Sequence, residues 1–198
     1  MASVAPAVRS ARDRILDTAS ELFYRDGYHA VGIDTIIARS GVAKMTLYRH
    51  FPSKDELIAA YLERANAEFW DWLDGEIAAV DDPRAKLVAA FEATAKLATS
   101  PKCLGCTFQA AASEFPELEH PGHEVALAHK RRVLDRLCEL ARDAGLHDPN
   151  GLAAQLLLLM DGAWVAARMF GPDNHARTVA DAARALVEVH ASPPSTAI

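Results

Sequence analysis

The sequence predicts an all-α protein of about nine helices, and three observations support this. Alanine and leucine are abundant while runs of β-branched residues are few, which favours helix nearly everywhere. Apolar residues recur at the three- and four-residue spacing of a helix face. Proline, glycine and capping residues interrupt these stretches at intervals of about one helix length, and no stretch indicates a strand.

The N-terminal part of the chain predicts three short helices. A first helix is expected over residues 10–26, because its apolar residues share one face and Gly27 follows it. Residues 33–54 read IDTIIARSGVAKMTLYRHFPSK. This stretch predicts two short helices joined by a turn at Ser40 and Gly41, where glycine allows the backbone to take a positive φ.

The remaining helices follow from caps and breaks. Ser53 and Glu56 form an S-x-x-E capping box, which predicts a long helix over residues 54–79. Proline and glycine pairs separate the later helices. These are expected over residues 83–98, 104–114, 123–144, 149–170 and 173–190.

The third helix has two different sides. Val42 and Leu47 are apolar anchors for a small core, and they leave the other side of the helix free. The outward positions carry phosphate- and base-seeking groups: Lys44, Thr46, Tyr48, Arg49 and His50. A short helix of this kind, anchored on one side and polar on the other, suits the major groove of DNA.

The segment GYHAVGIDTIIARSGVAKMTLYRHFPSKDEL resembles the N-terminal signature of TetR-type transcriptional regulators. The Gly-Val pair, the Leu-Tyr-x-His-Phe run and the Ser-Lys-Asp opening of the fourth helix match in order and spacing. The resemblance implies a DNA-binding repressor that acts as a homodimer on a double-stranded, pseudo-palindromic operator. It also implies release by a small-molecule effector, whose identity the sequence does not give. We expect no cofactor.

We expect eight residues to contact DNA: Thr35, Lys44, Met45, Thr46, Tyr48, Arg49, His50 and Lys54. The resemblance implies this role for six of them, all except Thr35 and Arg49. Four positions depart from the usual pattern of the family. Gly32 replaces a threonine, Ile37 a small alanine, Ala43 a capping serine or threonine, and Met45 a glycine, alanine or proline. These departures leave the fold expected but the operator sequence unknown.

The net charge of −6 is distributed unevenly along the chain. Residues 1–60 contain eight Lys and Arg against seven Asp and Glu, so the acidic excess lies in the rest of the chain. Specific DNA binding needs a local basic surface, not a basic protein. No secretory signal and no uninterrupted apolar stretch of membrane-spanning length is found, which predicts a cytoplasmic protein without a membrane partner.

We expect five regions along the chain. Residues 1–8 are a flexible tail, residues 9–53 a helix-turn-helix domain, and residues 54–79 a connecting helix. Residues 80–191 form a ligand-binding and dimerisation domain, and residues 192–198 a second tail.

Apolar and aromatic side chains with a few isolated polar groups predict a ligand cavity in the C-terminal domain. The expected lining residues are Trp70, Phe91, Cys106, Phe108, Gln109, Phe115, His129, Met160, Asp161 and Trp164. The last two long helices are apolar on much of their surface, which predicts a four-helix bundle between two protomers. The expected dimerisation residues are Leu156, Leu159, Ala163, Ala167, Val179, Ala183 and Leu186.

Two alternatives to a ligand-responsive regulator remain open. Cys103 and Cys106, followed by His120 and His123, raise the possibility of a metal- or redox-sensing regulator. The histidine spacing is shorter than in a zinc finger, so no metal site is predicted. A helical enzyme would need a catalytic constellation, and the sequence offers none at useful spacing.

Overall fold

The computed structural model describes residues 9–191, and that range is helical without any strand. It contains nine α-helices and one short 3-10 helix, so the predicted all-α class and helix number are confirmed. The α-helices are α1 (Ala11–Asp26), α2 (Ile33–Ser40), α3 (Lys44–His50), α4 (Lys54–Ala78), α5 (Pro83–Ala98), α6 (Thr107–Glu114), α7 (Pro121–Asp143), α8 (Pro149–Phe170) and α9 (Val179–Ala191). The two expected tails, residues 1–8 and 192–198, lie outside the described residues.

Side-chain caps fix the starts of four α-helices. Ser10, Ser53, Asp82 and Asp148 each accept a hydrogen bond from the backbone N–H three residues later, at 3.1, 3.1, 2.8 and 3.1 Å. These bonds satisfy donors that the first turn of a helix leaves unpaired. The cap at Ser53 is the one that the capping box predicts.

Three helix starts differ from the sequence prediction. α6 begins at Thr107 and not at residue 104, because Gly105 has a φ of 96° that no helix accommodates. α7 begins at Pro121, since proline is compatible with the first helical turn, where its missing N–H has no partner. A 3-10 helix, His175–Thr178, precedes α9 and is capped by the side chain of Asn174.

The described chain divides into two compact units. The N-terminal unit contains residues 9–65 with Gln109–Ala126, and the C-terminal unit contains Asn66–Phe108 with residues 127–191. Residues 109–126 therefore do not lie in the C-terminal part of the molecule, where the sequence analysis expected them. The helices α4, α6 and α7 each contribute residues to both units.

The end of α6 is bonded to the loop between α1 and α2 within the N-terminal unit. The carboxylate of Glu114 accepts hydrogen bonds from the backbone N–H groups of Tyr28 and His29, at 3.0 and 2.7 Å. Phe115 packs against both of these residues, with ring centroids 5.7 and 4.8 Å apart. These long-range contacts explain why residues after α6 belong to the N-terminal unit.

The C-terminal unit has one large apolar core, to which α4, α5, α7, α8 and α9 contribute. The residues that α8 buries in this core are spread over more than one face of the helix: Leu152, Ala153, Leu156, Met160, Ala163, Trp164, Ala166 and Ala167. By length and composition alone, α8 is also apolar enough to cross a membrane. A single helix of this kind is weak evidence for a span, because core helices satisfy the same criterion.

We predict opposite effects for alanine at two glycines. Gly41 ends α2 at a φ of 65°, and a Cβ there would meet no atom within 4 Å, so Gly41→Ala introduces backbone strain alone. The variant should lose about 1 kcal/mol of stability. Gly75 lies inside α4 with open space around it, so Gly75→Ala should gain about 1 kcal/mol.

Urea unfolding of both variants beside the wild type measures the two effects. A Gly41→Ala variant as stable as the wild type would contradict the role of Gly41 as a left-handed helix end.

Candidate functional site

The third helix is held by one side only. Leu47, at the centre of α3, is fully buried, and Phe51 directly after the helix is buried as well. Arg12 of α1 lies over the Phe51 ring, 5.1 Å from its centroid. The turn before α3 is formed by Gly41 and by the buried Val42. This packing leaves the side of α3 opposite Leu47 open to solvent.

The eight predicted DNA-binding residues lie on α2, α3 and the first turn of α4. Five of them are exposed: Thr35, Lys44, Met45, Tyr48 and Arg49. Three are half-buried: Thr46, His50 and Lys54. The expected separation of an anchored and an open side of α3 is therefore present.

Acidic neighbours pair with two of the basic groups in this region. Lys44 Nζ lies 3.3 Å from Asp34 Oδ1, and both side chains are well exposed. Arg39 pairs with Glu21 at 3.0 Å, again in solvent. Such exposed pairs contribute about 1 kcal/mol or less, so they leave these cations available to a phosphate.

A second group of candidate residues surrounds His129 in the C-terminal unit. The Phe108 ring stacks on the imidazole at 3.6 Å between centroids, and the Phe69 ring meets it edge-on at 4.8 Å. His129 Nδ1 and Trp70 Nε1 lie 2.8 and 2.9 Å from the same atom, Asn66 Oδ1. Since the indole N–H can only donate, Asn66 Oδ1 accepts both bonds and His129 Nδ1 carries a hydrogen.

His129 is held in its neutral form. Its burial lowers the pKa from the ordinary value of 6.5 to about 3, and the positive charges of Lys130 and Arg132 act in the same direction. With the hydrogen on Nδ1, the neutral ring keeps an acceptor at Nε2. Lys130 itself is paired with Asp161 of α8.

The structure brings together part of the predicted ligand-binding set. Trp70, Phe108 and His129 form one cluster, while Trp72, which the sequence analysis did not single out, pairs with Trp164 at 6.4 Å. Phe91 and Met160 are buried in the apolar core. The i, i+4 spacing of Asn66 and Trp70 on α4 is the signal by which Asn66 could have been found.

Two members of the predicted ligand-binding set belong elsewhere. Phe115 and Gln109 lie in the N-terminal unit, where Phe115 packs on Tyr28. The sequence prediction had assigned all of α6 to the C-terminal domain, and the ligand-binding role of these two residues stays a prediction.

Two clefts are present on the surface of the C-terminal unit. One of about 430 Å³ is lined by α7 and α8, and one of about 470 Å³ by α4 and α7. Trp70 is the one predicted ligand-binding residue that lines either of these two clefts. They therefore give little support to the predicted cavity lining.

Most of the predicted dimerisation residues are buried within the single chain: Leu156, Ala163, Ala167, Val179 and Ala183. A side chain that is already buried adds no apolar surface to a contact between protomers, so these five assignments are corrected. Leu159 and Leu186 are half-buried and pack against the same core.

Three exposed apolar residues of α8 lie on the side of that helix opposite its buried residues. Leu158 is 73% exposed, Val165 44% and Met169 69%, and Gly162 is exposed between them. Their spacing of seven and four residues places them in one stripe along the helix. We call Leu158, Gly162, Val165 and Met169 the α8 stripe. The seven-residue spacing was the signal that the sequence analysis missed.

The cysteines and histidines of the metal or redox alternative are engaged separately. The His120 ring stacks on Phe115 at 3.9 Å, and His123 Nδ1 lies 2.7 Å from the carbonyl oxygen of the same residue. Cys103 and Cys106 belong to the other unit. Among residues 9–191, no three His, Cys, Asp or Glu side chains are grouped so as to hold a metal ion. None of the three cysteines forms a disulfide.

Comparison with known proteins identifies the family. The profile of bacterial regulatory proteins of the TetR family matches residues 15–61. A TetR-family transcriptional regulator from Streptomyces coelicolor is 34% identical, with a TM-score of 0.87 over 92% of this chain and 96% of that one. The chain belongs to the TetR family. It is therefore a DNA-binding transcriptional regulator, and the helix-turn-helix formed by α2 and α3 is its DNA-binding element.

Two further relatives agree with this assignment. A TetR-type regulator from Streptomyces avermitilis is 31% identical, with a TM-score of 0.82 over 93% of this chain and all of that one. The HTH-type transcriptional activator FasR of Mycolicibacterium smegmatis is 43% identical over 82 residues. That match spans 41% of this TetR-family chain and 37% of FasR.

The pKa of His129 predicts how stability changes with pH. At pH values between about 3 and the ordinary pKa of 6.5, His129 binds a proton in the unfolded chain but not in the folded protein. This group therefore lowers the free energy of unfolding as pH falls, by about 1.4 kcal/mol per pH unit within that range. The substitution His129→Gln keeps a hydrogen-bond donor for Asn66 Oδ1 and removes the ionisable imidazole.

Urea unfolding at pH 7 and pH 5 measures this effect. The wild type should lose about 2 kcal/mol more than His129→Gln between these pH values. Equal losses in the two proteins would show that His129 titrates normally in the folded state.

Proposed function

We propose that this regulator is a cytoplasmic homodimeric repressor that binds a pseudo-palindromic operator and is released from it by a small apolar or aromatic molecule. The observation that carries the DNA-binding part is the open side of α3, opposite the buried Leu47. A helix anchored in this way enters a major groove without unfolding its own core.

The proposed DNA contacts divide by chemistry. Tyr48 is exposed at the side of α3, and Lys54 lies at the first position of α4. We assign both to backbone phosphates, together with Thr35, Lys44 and His50. Phosphate contacts fix the position of the protein on the duplex but carry no sequence information. Met45, Thr46 and Arg49 are left to approach base edges.

The proposed effector binds in the C-terminal unit near Trp70, Phe108 and His129. Aromatic rings with one neutral polar acceptor suit an apolar or aromatic molecule. A cationic molecule is disfavoured because the positive charges of Lys130 and Arg132 lie near His129. Phe108 and the Glu114 carboxylate that holds residues 28–29 are carried by the same helix, α6. A ligand that displaces Phe108 therefore acts on the element that supports the helix-turn-helix. Its effect is limited by its differential affinity for the two states.

The proposed dimer contact is the α8 stripe with Val189 of α9, which is 69% exposed. α8 and α9 pack against each other, so two such pairs can form a four-helix bundle. A two-fold symmetric dimer presents two copies of α3 to two half-sites of one operator.

The sign of regulation has a second candidate. FasR is named an activator, and it matches 82 residues of this chain. A dimer that binds beside a promoter activates or represses according to where its operator lies. In vitro transcription from a template that carries the operator distinguishes repression from activation, because a repressor lowers the amount of transcript and an activator raises it.

We predict that removing two phosphate contacts weakens operator binding without changing its sequence preference. Operator DNA is first selected from a random duplex library with the wild-type protein, with and without candidate aromatic molecules. Tyr48→Ala combined with Lys54→Ala should then lower the affinity at least about tenfold. Loss of Lys54 from both protomers should reduce the slope of log K against log salt by about 1.8.

Fluorescence anisotropy at several salt concentrations measures both quantities, with Tyr48→Phe as the matched control for the ring. Unchanged affinity in the double variant would show that these side chains do not contact the phosphates.

We also predict that charge in the α8 stripe separates the protomers. Leu158→Arg with Val165→Arg should change the solution mass from about twice the chain mass of 21.4 kDa to that of one chain, because a charge in an apolar contact is desolvated without a partner. Light scattering after gel filtration measures this. Leu118→Arg, at an exposed leucine of the N-terminal unit, is the control and should remain dimeric. A wild-type protein that is already monomeric at micromolar concentration would overturn the dimer.

A further inference from the structure

Two side chains occupy the part of α3 farthest from the core. At 100° per residue, Met45 and Arg49 lie about 160° from Leu47 on either side of the helix, so both are almost opposite the buried anchor. The other polar residues of α3 lie on its flanks, with Lys44 and Tyr48 on one side. A helix that enters the major groove with its anchored side outwards places Met45 and Arg49 nearest to the base pairs.

Both side chains are available for contact. Met45 is 81% exposed, more than any other large apolar side chain that the structure describes. Arg49 is exposed and, within residues 9–191, forms no hydrogen bond or ion pair, whereas Lys44 pairs with Asp34. Neither side chain contributes to the core. Their chemistry is therefore free to serve recognition.

The chemistry of the two side chains indicates which bases they read. In the major groove, thymine is the base that presents a methyl group, and apolar side chains contact it. Guanine presents O6 and N7, two acceptors that match the paired donors of a guanidinium. We propose that Met45 recognises a thymine methyl group and that Arg49 recognises a guanine in each operator half-site. This assignment rests on the proposed function and makes Met45 and Arg49 its specificity-determining residues.

The spacing of the two residues limits the spacing of the two bases. Met45 and Arg49 are four residues apart, which is about 6 Å along a helix. Successive base pairs are separated by about 3.4 Å. The thymine and the guanine should therefore lie within about two base pairs of each other, and the pair should recur with two-fold symmetry.

Base analogues in the selected operator test the assignment. Each thymine is replaced in turn by deoxyuridine, which lacks only the methyl group, and each guanine by 7-deazaguanine, which lacks only the N7 acceptor. One thymine per half-site should be sensitive, with about fourfold weaker binding when one half-site is changed. One guanine within two base pairs of it should lose about tenfold.

Variants connect each base to its side chain. Met45→Ala should bind thymine and uracil operators equally, and Arg49→Ala should bind guanine and 7-deazaguanine operators equally. Leu118→Ala and Arg131→Ala remove an exposed leucine and an exposed arginine that are not part of α3, so both variants should discriminate as the wild type does. Thermal unfolding of the four variants checks that each is folded, as expected for exposed positions.

The outcomes separate this assignment from the function on which it rests. Selection that yields no preferred sequence overturns the proposed operator recognition itself. If no thymine of the selected operator is sensitive to replacement by uracil, the role of Met45 is overturned. The same holds if Met45→Ala still binds the thymine operator more tightly than the uracil operator. A sensitive guanine that Arg49→Ala still distinguishes overturns the role of Arg49.

Discussion

The burial of Leu47 is the interaction on which the DNA-binding element depends. α3 has seven residues and lacks a side-chain cap at Ala43, so it has little stability of its own. Packing of Leu47 and Phe51 into the N-terminal unit supplies what the isolated helix lacks. Because one buried side chain fixes the rotation of a short helix, it also determines which residues face outwards. The positions of Met45 and Arg49 are thus a consequence of the position of Leu47.

The support of this element comes partly from a distant part of the chain. Glu114 bonds the backbone N–H groups of Tyr28 and His29, just before α2 begins. Gly27 is needed beside it, since a Cβ there would lie 2.9 Å from a Glu114 carboxylate oxygen and its φ is 87°. A carboxylate that accepts two backbone bonds in this way fixes a loop that has no helix of its own. The helix-turn-helix is therefore stabilised by residues outside its sequence motif.

Local signals in the sequence predicted most of the fold, and long-range contacts account for what they missed. Caps at Ser53 and Asp82 and the glycine at 41 act within a few residues, so their helix ends were predictable. Phe115 was assigned to the ligand-binding domain because its partner Tyr28 is 87 positions away, and spacing carries no information about such a pair. The DNA-binding residues remain a prediction from motif and exposure. On α8, apolar residues surround the helix, so the pattern could not distinguish the buried Leu156 from the exposed Leu158.

The N-terminal part of the chain that contains the DNA-binding element carries little net positive charge, so base contacts are more important for its selectivity. Residues 1–60 are close to neutral, with eight Lys and Arg against seven Asp and Glu, and Asp34 and Glu21 face two of the cations. Non-specific affinity arises almost entirely from cations that replace the counterions of DNA, so it is small for such a surface. Discrimination among sequences is a difference between specific and non-specific binding. Under the proposed base contacts, a weakly basic element with one apolar and one cationic side chain opposite its anchor obtains its selectivity mainly from base edges.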